Sequence, residues 1–472
     1  MKQVYYSCVV LLVGGLLLWS GCGSSEREYV LQAVPERPDL SGWPDRFFQR
    51  IENAEVQAVN GKNPVNSLVD LARLYHANGF YDEASLCYQA LMELEPKEPK
   101  WPHYLATILS GYGQLDDALA LRSKVTELAP EYVPGLIRYG DVLFKQNRLS
   151  EASRLYEKAL ALDDDNAYGL LGLARIDVKN ENLPAAESKL LRATRSSDSR
   201  IGADLLATVY EQQGNSRSAS AIRSGNKGSG SFSDIPDPWL FELYSDCFDT
   251  YQLAVAAGSA NHRGDSEEGI RILKRAIQMA PQDAALQFQL ALIYMNQGDS
   301  SEAIRSFEVC VKLDPMFPDG WFHLAGIYQT LGDANGQARA LAQGLFHNPD
   351  SPGLHLANGK RLKAIGDTFA AIREMEKAVD LRPEEADPIA DLAALYISAG
   401  QTEKGIQTME QVLAIESLHP VALSTMAFYN TSVNNEMVAR SYIEKIRMQP
   451  RISPSQLENL ENKFRTQFGS AP

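Results

Sequence analysis

The chain is predicted to be all-α, an α-solenoid of helix-turn-helix repeats, and three observations predict it. Gly264, Gly298, Gly332, Gly366 and Gly400 stand 34 residues apart, and Gly79 and Gly113 keep that step upstream. Pro281, Pro315, Pro349 and Pro383 keep it too, as do Pro96 and Pro130. Between these markers apolar residues recur at helical spacing: Leu290, Ala291 and Tyr294 before Gly298, then Ala303, Phe307 and Cys310 after it. A fixed period of this length means units that bury their apolar faces only against their neighbours.

Composition agrees. Of 472 residues 44% are hydrophobic, an ordinary share for a folded chain. The net charge of −15 argues against nonspecific nucleic-acid binding, which needs a clustered positive surface.

From the N-terminus, residues 1–21 read as a signal peptide. Lys2 gives a positive start, and Val9 to Trp19 is an apolar run too short to span a bilayer. The run ends in Trp19-Ser20-Gly21-Cys22-Gly23. Small residues before a cysteine resemble the bacterial lipobox, although Trp19 stands where leucine is usual. The resemblance implies acylation at Cys22, a lipid-anchored protein of the cell envelope and, with Gly23 following, delivery to the outer membrane facing the periplasm. An ordinary secretory signal with an incidental Cys22 is the alternative. Cys87, Cys247 and Cys310 lie in different repeats and suggest neither a disulfide framework nor a metal site.

Residues 22–43, rich in Ser, Glu, Arg and Pro, are expected to be an extended tether. Pro44 to Gly61 reads as a lone capping helix with Phe47, Ile51, Ala54 and Ala58 on one face. With the glycine at position 15, units start at 65, 99, 133 and 167, with a degenerate one near 200. A second series starts at 250, 284, 318, 352, 386 and 420. The domains are then a cap and first array over 44–223, a linker or insert over 224–249, and a second array over 250–453. A final helix over 454–472 follows, where Ser453 and Gln456 make a capping-box pair and Pro454 suits the first turn.

The first unit carries Leu68, Leu71, Ala72, Tyr75, Gly79, Ala84, Tyr88 and Pro96, and the unit from 318 carries Trp321, Leu324, Ala325, Tyr328, Gly332 and Pro349. This pattern resembles the tetratricopeptide repeat. Asp164 and Asp198 depart from it at the proline, and Asn434 at the glycine. The resemblance implies a right-handed superhelix whose first helices line a concave, partner-binding face.

Catalytic and cofactor motifs are missing: no nucleophile elbow, metalloprotease helix, phosphate loop or Cys/His cluster occurs. Asp163-Asp164-Asp165-Asn166 lacks the glycine and closing glutamate of a calcium loop and reads as a turn. The chain is therefore expected to be no enzyme, to hold no metal or cofactor, and to bind protein. On the first array, first-helix positions carry Arg73, Lys100, His103, Arg138, Lys145, Arg175 and Lys179, interrupted by Asp141. They predict a positive groove for an acidic or extended peptide, with a chance scatter of solvated charges as the alternative. On the second array the same positions hold Phe288, Leu292, Met295 and Phe322, either an apolar docking floor or packing between units. The stretch Ile235-Pro236-Asp237-Pro238-Trp239-Leu240-Phe241 fits a cover for that floor, docking in the protein's own groove, or the first helix of an imperfect unit. Internal packing is favoured, because an exposed Trp-Leu-Phe run aggregates. Two functional expectations follow: an envelope-anchored interaction scaffold, or an accessory factor of an envelope, secretion or polysaccharide machinery. An enzyme with an unrecognised site is the third alternative.

Overall fold

A computed structural model describes residues 26–195, 202–225, 235–447 and 453–472. The signal segment and Cys22 lie outside the described residues, as do 226–234 of the insert. Every regular element described is helical. The helices run α1 (Glu26–Ala33), α2 (Asp45–Asn60), α3 (Pro64–Ala77), α4 (Tyr81–Leu94), α5 (Lys100–Gly111), α6 (Leu115–Leu128), α7 (Val133–Lys145) and α8 (Leu149–Leu162). Next come α9 (Ala167–Lys179), α10 (Leu183–Ala193), α11 (Ala203–Gln212), α12 (Ser216–Gly225) and the short α13 (Pro238–Leu243). Then follow α14 (Thr250–His262), α15 (Ser266–Met279), α16 (Ala284–Asn296), α17 (Ser300–Leu313), α18 (Pro318–Thr330), α19 (Ala334–His347) and α20 (Pro352–Ala364). The chain ends with α21 (Thr368–Leu381), α22 (Ala386–Ser398), α23 (Thr402–Ile415), α24 (Pro420–Ser432), α25 (Glu436–Arg447) and α26 (Pro454–Phe468). The architecture is an α-solenoid of tetratricopeptide-type helix pairs. Two compact units are present, Met1–Leu162 with Pro236–Asp246, and Asp163–Ile235 with Cys247–Pro472.

Backbone geometry explains the glycine ladder. Gly79, Gly113, Gly264, Gly298, Gly332, Gly366 and Gly400 all take φ between 74° and 86°, the left-handed region that turns the first helix of a pair into the second. The turn persists where glycine is replaced: Asn147, Glu181 and Asn434 occupy the same repeat position with φ of 60° to 62°. A Cβ in this conformation meets its own carbonyl, at a cost of about 1–2 kcal/mol. Glu181→Gly is therefore expected to stabilise the second unit by about 1 kcal/mol, read as a higher urea midpoint, and Asn147→Gly to do less, since asparagine tolerates this region. An unchanged midpoint for Glu181→Gly would remove the strain argument.

Packing follows the stripes. Leu68, Leu71, Ala72, Tyr75, Ala84 and Tyr88 are buried in the first pair, and Leu290, Ala291, Tyr294, Ala303, Phe307 and Cys310 in the pair α16–α17. Cys87, Cys247 and Cys310 are buried, unpaired thiols. The acidic balance partly serves the helix ends. Asp265, Asp283, Asp299, Asp333 and Asp367 each cap the helix that follows, accepting from its first free amides. Asn166 does the same for α9, so the Asp163–Asn166 run is a capped turn.

The two ends are closed. Helix α2 buries Phe47, Ile51, Ala54 and Ala58. Helix α26 opens on the Ser453–Gln456 capping box and seats Phe464, with Leu457, Leu460 and Phe468, on α24 and α25. One expectation is corrected: residues 22–43 are not wholly an extended tether, because Glu26–Ala33 is the helix α1. Val30 is fully buried, and Arg27 Nη2 donates to the Val59 carbonyl at 2.8 Å near the end of α2. The carbonyl-rich C-terminus of α2 attracts that cation, and a short run with one apolar anchor then folds onto the array. Among the described residues no helix is long and apolar enough to cross a membrane.

Candidate binding face on the first helices

Three consecutive first helices, α3, α5 and α7, present side chains that converge on residues 237–246. Asp237 caps α13 through the Leu240 amide, and α13 with the following turn Tyr244–Asp246 lies against α3. Three carboxylates of this segment meet the predicted cations. Lys100 Nζ lies 2.8 Å from Glu242 Oε2, and Arg73 reaches both Asp246 Oδ2 (2.9 Å) and the Glu242 carbonyl (3.0 Å). Arg50 on α2 adds a contact to Asp246 at 3.3 Å, and Asn78 Nδ2 donates to the Asp246 carbonyl at 2.8 Å.

Asp237 sits at the centre of a buried cluster. Its Oδ2 accepts from His103 Nε2 and Arg138 Nε, each at 2.8 Å, and its Oδ1 accepts from the Tyr132 hydroxyl. Trp239 stacks face to face on Tyr132 with ring centroids 3.6 Å apart, and its carbonyl accepts from Tyr104. Behind His103, Arg122 Nη1 lies 3.1 Å from Nδ1, and Nη2 donates to Thr107.

The hydrogen bonds assign the charges. Arginine has no lone pair to offer, so His103 Nδ1 accepts from Arg122 and the ring proton sits on Nε2, donated to Asp237. His103 is thus a neutral imidazole. Its pKa is lowered to about 4, chiefly by burial and further by Arg122, against the raising pull of the Asp237 bond. Burial pushes the Asp237 carboxyl up, but His103, Arg138 and Tyr132 outweigh it and hold it well below the usual carboxylate range. Burial first, then Asp237, keeps the Tyr132 hydroxyl protonated as a donor. The arrangement therefore neutralises a buried carboxylate with one guanidinium and neutral donors. It holds an acidic segment of the chain itself.

The structure thus brings together Arg73, Lys100, His103 and Arg138. Arg175 and Lys179 lie on α9 in the other unit. Lys145 is exposed on α7, and Asp141 accepts from Tyr156. The hydrogen-bonding and ion-pair partners given above for the segment are on the N-terminal repeats. Phe288 packs its ring against Phe307, Phe317 and His323 at 5.7, 5.0 and 5.5 Å, Leu292 and Met295 are half-buried, and Phe322 stands 44% exposed.

Sequence reasoning missed Arg50, Asn78, Tyr104, Arg122 and Tyr132. One of them had a signal. Arg122 occupies position 24 of its unit, where Tyr88, Tyr156 and Phe307 fill the core of theirs. A buried arginine in an aromatic slot needs acceptors, and His103 is one.

Comparison with known proteins agrees with the repeat architecture. Family models described as tetratricopeptide repeat match residues 67–100 and 260–309, and one described as TPR repeat matches 140–177. These matches identify a protein built from tetratricopeptide repeats. RNA polymerase II-associated protein 3 of Mus musculus is 27% identical over 190 residues, 40% of this chain, and the match spans only 26% of that protein's own length. The yeast Tom70 crystal structure is 14% identical with a TM-score of 0.38, covering 85% of this chain and 96% of that one. PilW, a type IV pilus biogenesis factor, is 22% identical with a TM-score of 0.35, covering 39% and 86%.

Proposed function

We propose that this tetratricopeptide-repeat protein is a non-catalytic interaction scaffold, held to the bacterial outer membrane on its periplasmic side by an acylated Cys22. On this reading it captures acidic peptide segments of partner proteins on the α3–α5–α7 face. The observation that carries it is the convergence of Arg73, Lys100, His103 and Arg138 on three carboxylates of a short segment. That chemistry suits acidic peptide and repels basic polymers and cationic surfaces. Support for the anchor comes from the apolar run and small residues before Cys22.

Two measurements test it. Cys22→Ser is expected to move the protein from the membrane to the soluble fraction; unchanged fractionation rules out the lipid anchor. Arg73→Glu with Arg138→Glu is expected to abolish crosslinked partner capture in envelope preparations, with the largest difference at low salt. Equal capture by the reversed chain removes the acidic-peptide reading.

A further inference from the structure

We propose that residues 236–246 are a tethered self-ligand, occupying the face in place of an acidic, aromatic segment of a partner protein, so that capture requires the segment to leave. This rests on the scaffold reading above and adds the partner's chemistry and its control. The segment displays the recognition pattern. Asp237 caps a helical turn and enters the His103–Arg138 cluster, and Trp239, two residues on, stacks on Tyr132. Glu242 faces Lys100, Leu243 is buried, and Asp246 faces Arg73 and Arg50. A partner segment with acidic, aromatic, acidic, aliphatic and acidic groups at these spacings would fill the same sites.

Several features make this occupancy exchangeable. Leu243 is the one apolar side chain of 236–246 that is buried, whereas Trp239, Leu240, Phe241 and Tyr244 are half-buried. The outer ion pair is half-exposed, with the Lys100 side chain at 29% and that of Glu242 at 40%, where such pairs hold weakly. Helix α13 has six residues, too few to persist away from the face. The chain is anchored afresh immediately afterwards: Arg275 Nη2 donates to the Cys247 carbonyl at 2.7 Å, and Asp249 caps α14. Residues up to Asp246 can therefore leave without dismantling α14. Upstream, Gly225-Asn226-Lys227-Gly228-Ser229-Gly230-Ser231 has the composition of a linker. A tethered ligand acts at an effective concentration of about 1 mM, so a segment whose own affinity for the face is about 10 μM weakens a competitor on the order of 100-fold.

The test uses the full chain in detergent and a fluorescein-labelled synthetic peptide of residues 235–246, read by anisotropy. The Asp237→Ala/Glu242→Ala chain, whose own segment is loosened, is expected to bind the peptide ~10- to 100-fold tighter than the unaltered chain. Adding Arg138→Glu is expected to abolish that binding. Equal affinity for the first two chains, or no effect of Arg138→Glu, overturns the proposal. Hydrogen exchange on the unaltered chain gives a second, variant-free measurement. Amides of Leu240 to Asp246 are expected to exchange at least ~100-fold faster than those in the middle of α3 and α5. Equal protection would mean a fixed strut and overturns the proposal as well. If charge reversal abolishes envelope capture while the peptide affinities are equal, the self-ligand inference alone fails. If capture survives charge reversal, the scaffold reading itself fails.

Discussion

Asp237→Ala is expected to cost the docked segment about 3–5 kcal/mol, the usual loss when one partner of a buried ion pair is removed and the other stays behind. The carboxylate is 1% exposed and accepts from His103, Arg138, Tyr132 and the Leu240 amide. Deleting it leaves Arg138 and the Arg122–His103 pair without their acceptor in a low-dielectric site. Half-exposed pairs such as Lys100–Glu242 are each worth at most about 1 kcal/mol and cannot hold the segment alone. The expected outcome is local: Trp239 leaves Tyr132, its emission shifts to the red, and the amides of 240–246 lose protection while the repeats stay helical. Asp237→Asn keeps an oxygen for His103 and for the cap, and is expected to lose less. Alanine and asparagine variants with the segment protected as before would contradict this account.

The second large effect is acid lability of the N-terminal unit. His76 is buried, bonds Tyr88 through Nδ1, and has its pKa lowered to about 3, by burial and then by His103. His103 is lowered to about 4 by burial and Arg122. In the unfolded chain both titrate near 6.5. Below that value the unfolded chain binds protons that the folded chain refuses, so stability falls as pH drops from about 6.5 toward the folded values. By pH 4 the two together remove several kcal/mol, about 3 for each. Asp237, held low, adds its own loss only below its unfolded value of about 3.9. The check is the slope of unfolding free energy between pH 6.5 and 4.5, followed by exchange of α3 and α5 amides. His76→Gln is expected to flatten it by about one proton, ~1.4 kcal/mol per pH unit. An unaltered slope would show that His76 is not held neutral.

These effects trace to side chains of differing legibility. The glycine at position 15 is readable because the left-handed turn is a local backbone demand, and Gly79 or Gly332 meets it without help from distant residues. The capping box at Ser453 is local in the same sense. Arg73, Lys100, His103 and Arg138 could be placed on one face from repeat spacing alone. What they bind could not be read, because Asp237 is separated from His103 by 134 residues and lies in a stretch with no repeat period. Helix α1 escaped for a related reason: eight residues with one apolar anchor carry no periodic signal, and Arg27 finds its acceptor at Val59.

By itself the sequence determined the repeating helix pairs, their turns, the two capping helices and a row of cations on the first helices. Those features depend on φ, helix ends and 3.6-residue periodicity, all encoded within one unit or its neighbour. Only the tertiary structure decided that three carboxylates of the chain's own insert pair with Arg73, Lys100 and Arg138 of that row, and that His103 is a neutral donor between Arg122 and Asp237. Charge pairing across more than a hundred residues, and the tautomer it selects, depend on burial and geometry that no local pattern carries.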